Sequence, residues 1–337
     1  MKIGLVYDLR RDYLEMGYSE EETAEFDSED TIEQLTLTLE LLGYEVDQIG
    51  NILSLVSRLA TGQRWDLVFN ISEGLKGRSR EAQVPALLEA YGIPYTFSDP
   101  LTLSLSLDKA LAKRVLRDAG IPTPWFFVIE SCDDFDIEIH VPAWPLFVKP
   151  LSEGTGKGVD EHSIVRNMDE LRKRAFFIIE QFSQPALVET YLPGREFTVG
   201  ILGTGASARA VGVLEVSLLG NAEREVYSYI NKERCEELVE YILVEDSAIV
   251  EEASRIALDV YRVLGCRDAG RIDLRTNVSG RLECIEANPL AGLNPSHSDL
   301  PILCAKAGMS YSLLISGIVE SAANRIVGSM RTIPFPR

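Results

Sequence analysis

Gly270-Arg271-Ile272-Asp273-Leu274-Arg275-Thr276, then Asn277-Val278-Ser279-Gly280, then Arg281-Leu282-Glu283-Cys284-Ile285-Glu286-Ala287-Asn288-Pro289 reads as two β-arms joined by a turn. Side chains alternate along a strand. Arg271, Asp273 and Arg275 are therefore expected on one face of the first arm, and Cys284, Glu286 and Asn288 on one face of the second. With Thr276 opposite Arg281, Glu286 lies across from Arg271 and diagonal to Asp273, within about 7–8 Å. Two carboxylates and a carboxamide that converge in this way are hard oxygen ligands suited to Mg²⁺, which completes its octahedron with water and substrate phosphate. The alternative, from the hairpin alone, is a surface arm with an Arg–carboxylate pair of little energetic weight.

Upstream, the apolar run Pro145-Leu146-Phe147-Val148-Lys149-Pro150 enters Glu153-Gly154-Thr155-Gly156-Lys157-Gly158, with glycine at every second position. Such backbone can close around an anion and offer N–H groups to phosphate oxygens, while Lys157 adds charge. The spacing is neither a Walker loop nor a dinucleotide fingerprint, and a plain hairpin tip is the alternative. Between loop and hairpin, Leu187-Val188-Glu189-Thr190-Tyr191-Leu192-Pro193-Gly194-Arg195-Glu196 is an apolar strand broken by a polar bend. Exposed backbone at such a bend can imitate a base-pair edge, and a carboxylate such as Glu196 can accept from ribose hydroxyls.

Towards the N-terminus the pattern alternates β-rich runs (Ile3 to Tyr7, Glu45 to Ile49, Trp65 to Ile71) with helical segments, which predicts a parallel sheet. Asp27 and Ser28 can cap a helix with the apolar stripe Ile32, Leu35, Leu39 and Leu42, stopped by Gly43. Ligands collect at the carboxyl ends of parallel strands, so Asp8, Gly50, Asn70 and Glu73 are cleft candidates. The acidic run from Glu15 to Asp30 reads as a solvated loop leading into the helix, with a lid over the cleft as the alternative. A helix containing Asp108, Lys109 and Lys113 begins near Ser98. Three units are expected: a parallel α/β domain over 1–97, a small α+β unit over 98–185, and a larger one over 186–337 that opens with the strand Ala186 to Glu189.

Composition narrows the function. The 337 residues carry 33 Lys plus Arg against 52 Asp plus Glu, a net charge of −19 that repels nucleic acid and anionic lipid. No stretch is apolar enough to span a bilayer, and the N-terminus does not read as a signal peptide, so a cytoplasmic protein without nucleic-acid or membrane partners is expected. Five cysteines without a C-x-x-C pair read as reduced core thiols, and the three scattered histidines argue against zinc or serine-hydrolase chemistry.

Taken in order, these motifs resemble the ATP-grasp superfamily, and most closely the D-alanine–D-alanine ligase family. The resemblance spans roughly Asn70 to Ser316. It is carried by Gln83, Gly92-Ile-Pro-Tyr-Thr, Leu107-Asp108-Lys109, Lys149-Pro150 with the glycine loop, Gly194-Arg-Glu196-Phe-Thr-Val, Gly270-Arg271-Ile-Asp273, Glu286-Ala-Asn288 and Ser296-His297-Ser298. It implies an ATP-grasp fold whose two α+β subdomains sandwich ATP. Lys109 and Lys149 would then hold phosphates beneath the loop Glu153, Gly154, Gly156 and Lys157, Glu189 and Leu192 would meet adenine, and Glu196 the ribose. Asp273, Glu286 and Asn288 would hold two Mg²⁺ ions, with Mn²⁺ as another occupant. Arg271, Gly292 and Ser298 would contact the acceptor carboxylate and the oxyanion, Thr155 would stand at the loop's serine position, and Lys232 would reach the transferred phosphate from the segment Tyr227 to Lys232.

The implied reaction phosphorylates a carboxylate with ATP and then joins it to an amine, releasing ADP and phosphate. The substrates would be small carboxylates and amines, amino acids by default, and a homodimer is implied. The sequence departs from the family where the first substrate binds. Tyr7-Asp8-Leu9-Arg10 stands where D-alanine ligases open with Gly-Gly-x-Ser-x-Glu, Asn70-Ile71 replaces a His-Gly pair, and Glu233 replaces an aromatic residue. Two other readings therefore stay open: an ATP-binding regulator without turnover, and a ligase for a non-amino carboxylic acid.

Overall fold

The computed structural model describes residues 1–136, 141–220, 231 and 234–330, with the side chains of 132, 136, 236 and 326–330 left aside. The first unit runs β1 (Lys2–Val6), α1 (Arg10–Glu15), α2 (Glu29–Leu41), β2 (Glu45–Gly50), α3 (Ile52–Ala60), β3 (Leu67–Asn70) and α4 (Gln83–Ala90). Its three strands are parallel in the order β2-β1-β3. The stripe expected on α2 is buried at Ile32, Leu35 and Leu39, Ser28 caps the helix by accepting from the Thr31 N–H, and Gly43 leaves it at φ +87°.

The helix expected from Ser98 is two helices, α5 (Pro100–Leu107) and α6 (Lys109–Asp118). Asp108 breaks the run: its backbone is extended and its carboxylate accepts from the Leu111 N–H, so it caps a new helix instead of continuing the old one. This places Lys109 in the first turn of α6.

The second sheet comprises β4 (Phe126–Ile129), β5 (Leu146–Pro150), β6 (Ile164–Val165) and β7 (Ala186–Thr190), antiparallel in the order β4-β7-β5-β6, with α7 (Met168–Phe182) between β6 and β7 in sequence and packed on the sheet. The strand expected to open the third unit is thus an inner strand of the second sheet. Its apolar residues Ala186, Leu187 and Val188 need neighbours on both sides, and β4 and β5 supply them.

The third sheet is β8 (Glu196–Leu202), β9 (Arg209–Leu218), β10 (Val239–Leu243), β11 (Ala269–Thr276) and β12 (Leu282–Asn288), in the order β10-β9-β8-β11-β12. A short α8 (Cys235–Leu238) precedes β10. The amphipathic α9 (Ser247–Val263) buries Ile256, Ala257, Val260 and Tyr261 against one face. On the other lies α10 (Asp299–Lys306), admitted by Gly200, where an added Cβ would come within 3.0 Å of Leu300 and Leu303. The last helix, α11 (Tyr311–Met330), crosses back to the first unit, where Leu314, Ile318 and Ala322 complete the apolar cluster begun by Ile3, Leu5 and Leu35. The fully buried Asp268 fastens this junction. It accepts from the Phe97 N–H at 2.8 Å, from Thr204 at 3.1 Å and from the Arg325 guanidinium.

Cys235, Cys266, Cys284 and Cys304 are free and buried, as expected of core thiols. Among the described residues no single helix is long and apolar enough to cross a membrane.

Candidate active site

The hairpin forms, in a register shifted from the expected one. Thr276 pairs with Leu282, Asp273 faces Glu286 directly, and Arg271 faces Asn288. The ladder shifts between Asp273 and Leu274, where Ile285 is the extra residue of a bulge, so the second arm changes face there. Cys284 consequently turns into the core beside Leu274 and does not share a face with Glu286. The bulge still brings the three oxygen donors together: Asn288 Nδ2 donates to Asp273 Oδ2 at 3.1 Å, and Thr198 donates to Asp273 Oδ1 at 2.9 Å. Arg271 closes the group, 3.2 Å from Asp273 and in a tight ion pair with Asp299.

Lys109 reaches this hairpin from α6. Its Nζ lies 2.9 Å from Glu286 Oε1 and donates to the Glu153 carbonyl at 2.5 Å. Lys149, on β5, is 2.9 Å from Glu189 Oε2, and the other oxygen of Glu189 is 2.5 Å from Lys113. Burial alone would raise the Glu189 carboxyl, but the two ammonium groups hold it below its ordinary range. Glu189, expected at adenine, is thus the shared counter-ion of two buried lysines. Around them lies a cavity of about 90 Å³ lined by Phe147, Lys149, Tyr191, Leu192, Glu196 and Ile285. Glu196, expected at the ribose, pairs with Arg275 at 3.3 Å.

The glycine loop is a long excursion from Leu151 to Ser163 between β5 and β6, not a tight hairpin tip. Thr155, Gly156 and Gly158 all have left-handed backbone, and a Cβ on Gly158 would lie 2.6 Å from Pro150. Over the loop folds the acidic segment. Glu25 Oε1 accepts from the Gly154 N–H at 2.6 Å, while Oε2 lies 3.0 Å from Lys157 Nζ and 3.0 Å from Arg80. Lys157 also lies 3.1 Å from Glu153. The lid, not the solvated loop, is what the Glu15 to Asp30 run provides, because Glu25 finds an array of donors that bulk water would not improve on.

A second cavity of about 260 Å³ extends from this lid to α10 and is lined in part by Asp27, Glu73, Glu81, Ser106, Arg271, Gly292 and Ser298. Gly292 is placed where a Cβ would come within 2.7 Å of Ser298 Oγ, so the two residues expected together are in contact. Lys109 and Glu286 line both cavities and mark where they meet. Of the four cleft candidates only Glu73 lines this cavity. Asp8 is spent on internal bonds from Tyr13 at 2.5 Å, Ser72 at 2.6 Å and the Gly74 N–H at 3.0 Å, and Asn70 is buried beside it. Lys232, with Tyr227 and Tyr229, lies outside the described residues.

Glu25, Arg80, Glu81, Lys113 and Asp299 were not site candidates. Lys113 carries a readable signal, since it follows Lys109 by one helical turn on the same face. The others reach the site by long-range folding and leave no local pattern.

The buried carboxyls give stability a pH profile with two limbs. Burial opposes the charge of Glu25, but Arg80 and Lys157 hold its carboxyl at about 2, so it contributes stability that is present above its ordinary value of 4.5 and lost as the pH falls towards 2. Asp27, pushed up to about 8 by burial and by Asp8, and Glu81, pushed up to about 7 chiefly by burial, act in the opposite sense. Their contribution is present below their unfolded values and is lost as the pH rises through 7 to 8. Thermal unfolding as a function of pH should show the alkaline limb flattened in Asp27→Asn and the acid limb flattened in Glu25→Gln.

Comparison with known proteins agrees with this arrangement. The family model for the D-ala D-ala ligase C-terminus matches residues 115–320. The D-alanine–D-alanine ligase of Bordetella petrii is 34% identical over 264 residues, 78% of this chain and 77% of the relative. An uncharacterised protein of Sinorhizobium fredii is 34% identical over 275 residues, 78% of this chain and 76% of its own. Among solved structures, the Bacillus anthracis D-alanine–D-alanine ligase complexed with ATP superposes with a TM-score of 0.73 at 22% identity, covering 98% of this chain and 99% of that one. The VanG D-Ala:D-Ser ligase of Enterococcus faecalis gives 0.72 at 20% identity, covering 95% and 99%. Fold, motif order and sequence identity over three quarters of the length agree: this chain has the ATP-grasp fold and belongs to the D-alanine–D-alanine ligase family.

Proposed function

We propose that this protein is an ATP-dependent carboxylate–amine ligase of the cytoplasm that joins two small molecules, at least one of them an amino acid, by an amide bond. The observation that carries the reading is the meeting of the two cavities at Lys109 and Glu286. One cavity has an apolar floor with a buried ammonium, Lys149, and the carboxylate of Glu196. The other ends at a guanidinium, a glycine and a hydroxyl.

A carboxylate is a poor electrophile, and phosphorylation gives it a leaving group. In the first step a substrate carboxylate oxygen bonds to the γ-phosphorus of ATP and ADP leaves. In the second the amine nitrogen bonds to the acyl carbon, phosphate leaves with the C–O bonding pair, and the nitrogen gives up a proton. No protein nucleophile is required. The work is alignment and neutralisation of anions. Lys109 and Lys149 supply fixed positive charge from opposite walls, and the Gly154 loop supplies N–H donors above them. Arg271 is set by Asp273 and Asp299 so that its guanidinium lines the substrate cavity, where it can fix a carboxylate.

Asp273, Glu286 and Asn288 fit a divalent cation in donor type and number, since Mg²⁺ is held by one or two carboxylates and leaves its other positions to water and phosphate. When bound there, such an ion would neutralise charge on the phosphates. The lid has its own part. With Glu25 latched on the glycine loop the acyl phosphate is kept from water, to which it would otherwise be lost.

The test is ADP release with ATP, Mg²⁺ and pairs of D- and L-amino acids, with mass spectrometry of the products. The expected product has the mass of the two substrates less one water. ATP that raises the unfolding temperature while no pair releases ADP would replace the ligase reading with that of an ATP-binding regulator.

A further inference from the structure

The larger cavity is lined by more carboxyl groups than its own cations pair with. Asp27, Glu73 and Glu81 all line it, and among the described residues none of their carboxylates has an ion pair or a hydrogen bond. Glu81 is only 9% exposed. The cations beside them are committed elsewhere: Arg80 to Glu25 and to the Ser152 carbonyl at 2.8 Å, Lys109 to Glu286 and the Glu153 carbonyl, Arg10 to the Glu20 carbonyl at 3.1 Å, and Arg271 to Asp273 and Asp299. Burial and mutual repulsion push Glu73 well above the ordinary carboxylate range, with Glu81 and Glu25 the leading repellers. A protein gains no stability from such a set, which points to a ligand that completes it.

A second, separate observation concerns the same cavity. Ser106, at the end of α5, is only 5% exposed and lines the cavity, and its Oγ has no hydrogen-bond partner. A buried hydroxyl left unpaired in the wall of a cavity marks a place for a polar ligand group. A metal ion is a poor candidate for it. Among the described residues no three His, Cys, Asp or Glu side chains gather closely enough to hold one. Three carboxyl groups lining one cavity without a metal geometry suit an organic cation.

An α-amino acid with a neutral side chain brings one ammonium group, which can neutralise one of the three carboxylates. We infer that the substrate bound in this cavity is an amino acid with a cationic side chain, lysine- or ornithine-like, whose second positive charge is received by Glu73 and Glu81. The inference rests on the ligase reading for its chemistry, but the binding it describes can be measured without turnover.

The experiment compares kcat/KM for ADP release by the full chain with D- and L-lysine, ornithine and arginine against D- and L-alanine, each offered alone and in pairs. A basic substrate should be preferred over alanine by at least about 100-fold, the scale of one buried charge pair. Glu73→Gln and Glu81→Gln keep side-chain size and remove charge, and each should cut that preference at least tenfold, mainly through KM. Alanine used as well as every basic amino acid, or a preference unchanged in both variants, overturns the inference while leaving the ligase reading intact. If no pair releases ADP, the ligase reading fails instead and binding decides. Lysine or ornithine should then raise the unfolding temperature of the wild type more than alanine does, and lose that advantage in Glu81→Gln. Equal shifts for basic and neutral amino acids, or none, overturn the inference.

Discussion

Glu286→Ala is expected to lower kcat for ADP release by about 10³-fold or more, the scale of removing a charge-positioning group from a phosphoryl-transfer site. Glu286 is the point at which both cavities meet, it faces Asp273 across the ladder, and it holds Lys109 at 2.9 Å. Its removal takes away one of two carboxylates available to a divalent cation and lets Lys109 move off the phosphate path. The fold should survive, since the Glu286 side chain is partly exposed and Lys109 keeps the Glu153 carbonyl. An unchanged circular dichroism spectrum and unfolding temperature, with turnover lost, are the expected result. Turnover within tenfold of the wild type would mean that the hairpin's carboxylates do not serve the phosphates.

Glu189→Ala should act on stability instead. The carboxylate lies between Lys113 and Lys149, and all three groups are buried. Removing the shared anion leaves two ammonium groups in a low-dielectric interior, at a cost of about 3–5 kcal/mol. The loss should be local at first, because the ion triad joins β5 and β7 of the second sheet to α6. Trp125 lies beside this sheet, its carbonyl accepting from the Thr190 N–H at 2.9 Å, so urea unfolding followed by tryptophan fluorescence reports on it. A large shift of the urea midpoint to lower concentration is expected. Joint replacement of Glu189, Lys113 and Lys149 by apolar residues of similar volume should restore much of the stability and none of the nucleotide binding. A midpoint within experimental scatter of the wild type for Glu189→Ala would show that the lysines find other partners.

What could be read from the residues and what could not divide along physical lines. The parallel first unit was legible because period-2 and period-3.6 patterns alternate there, and Ser28 and Gly43 mark their ends. The glycine loop and the hairpin were legible because their glycines and acids are local in sequence. The bulge at Ile285 was not. One inserted residue leaves composition and apolar pattern almost untouched, yet it reverses the face of every side chain beyond it, which is why Cys284 and Glu286 part company. Asp108 was misread for a related reason: an acidic residue within a helical run looks like a surface position until its cap bond to Leu111 is seen. Glu25 lies 129 residues from the Gly154 N–H it binds, and no local rule connects them. The same holds for Arg80, whose partners are divided between the lid and the glycine loop. The departures near the first strand lie outside the motifs, and the acids that line the larger cavity, Asp27, Glu73 and Glu81, come from the lid and from the turn before α4.

The return of α11 to the first unit has a consequence for synthesis on the ribosome. The first βα units emerge well before the wall that covers them, since Leu314, Ile318 and Ala322 are translated long after Ile3, Leu5 and Leu35. Until it arrives, the nascent chain presents an oily, half-built surface, and chaperones that bind such surfaces have that whole interval in which to act. A chain cut short before α11 keeps that surface uncovered and is delivered as a substrate for proteolysis.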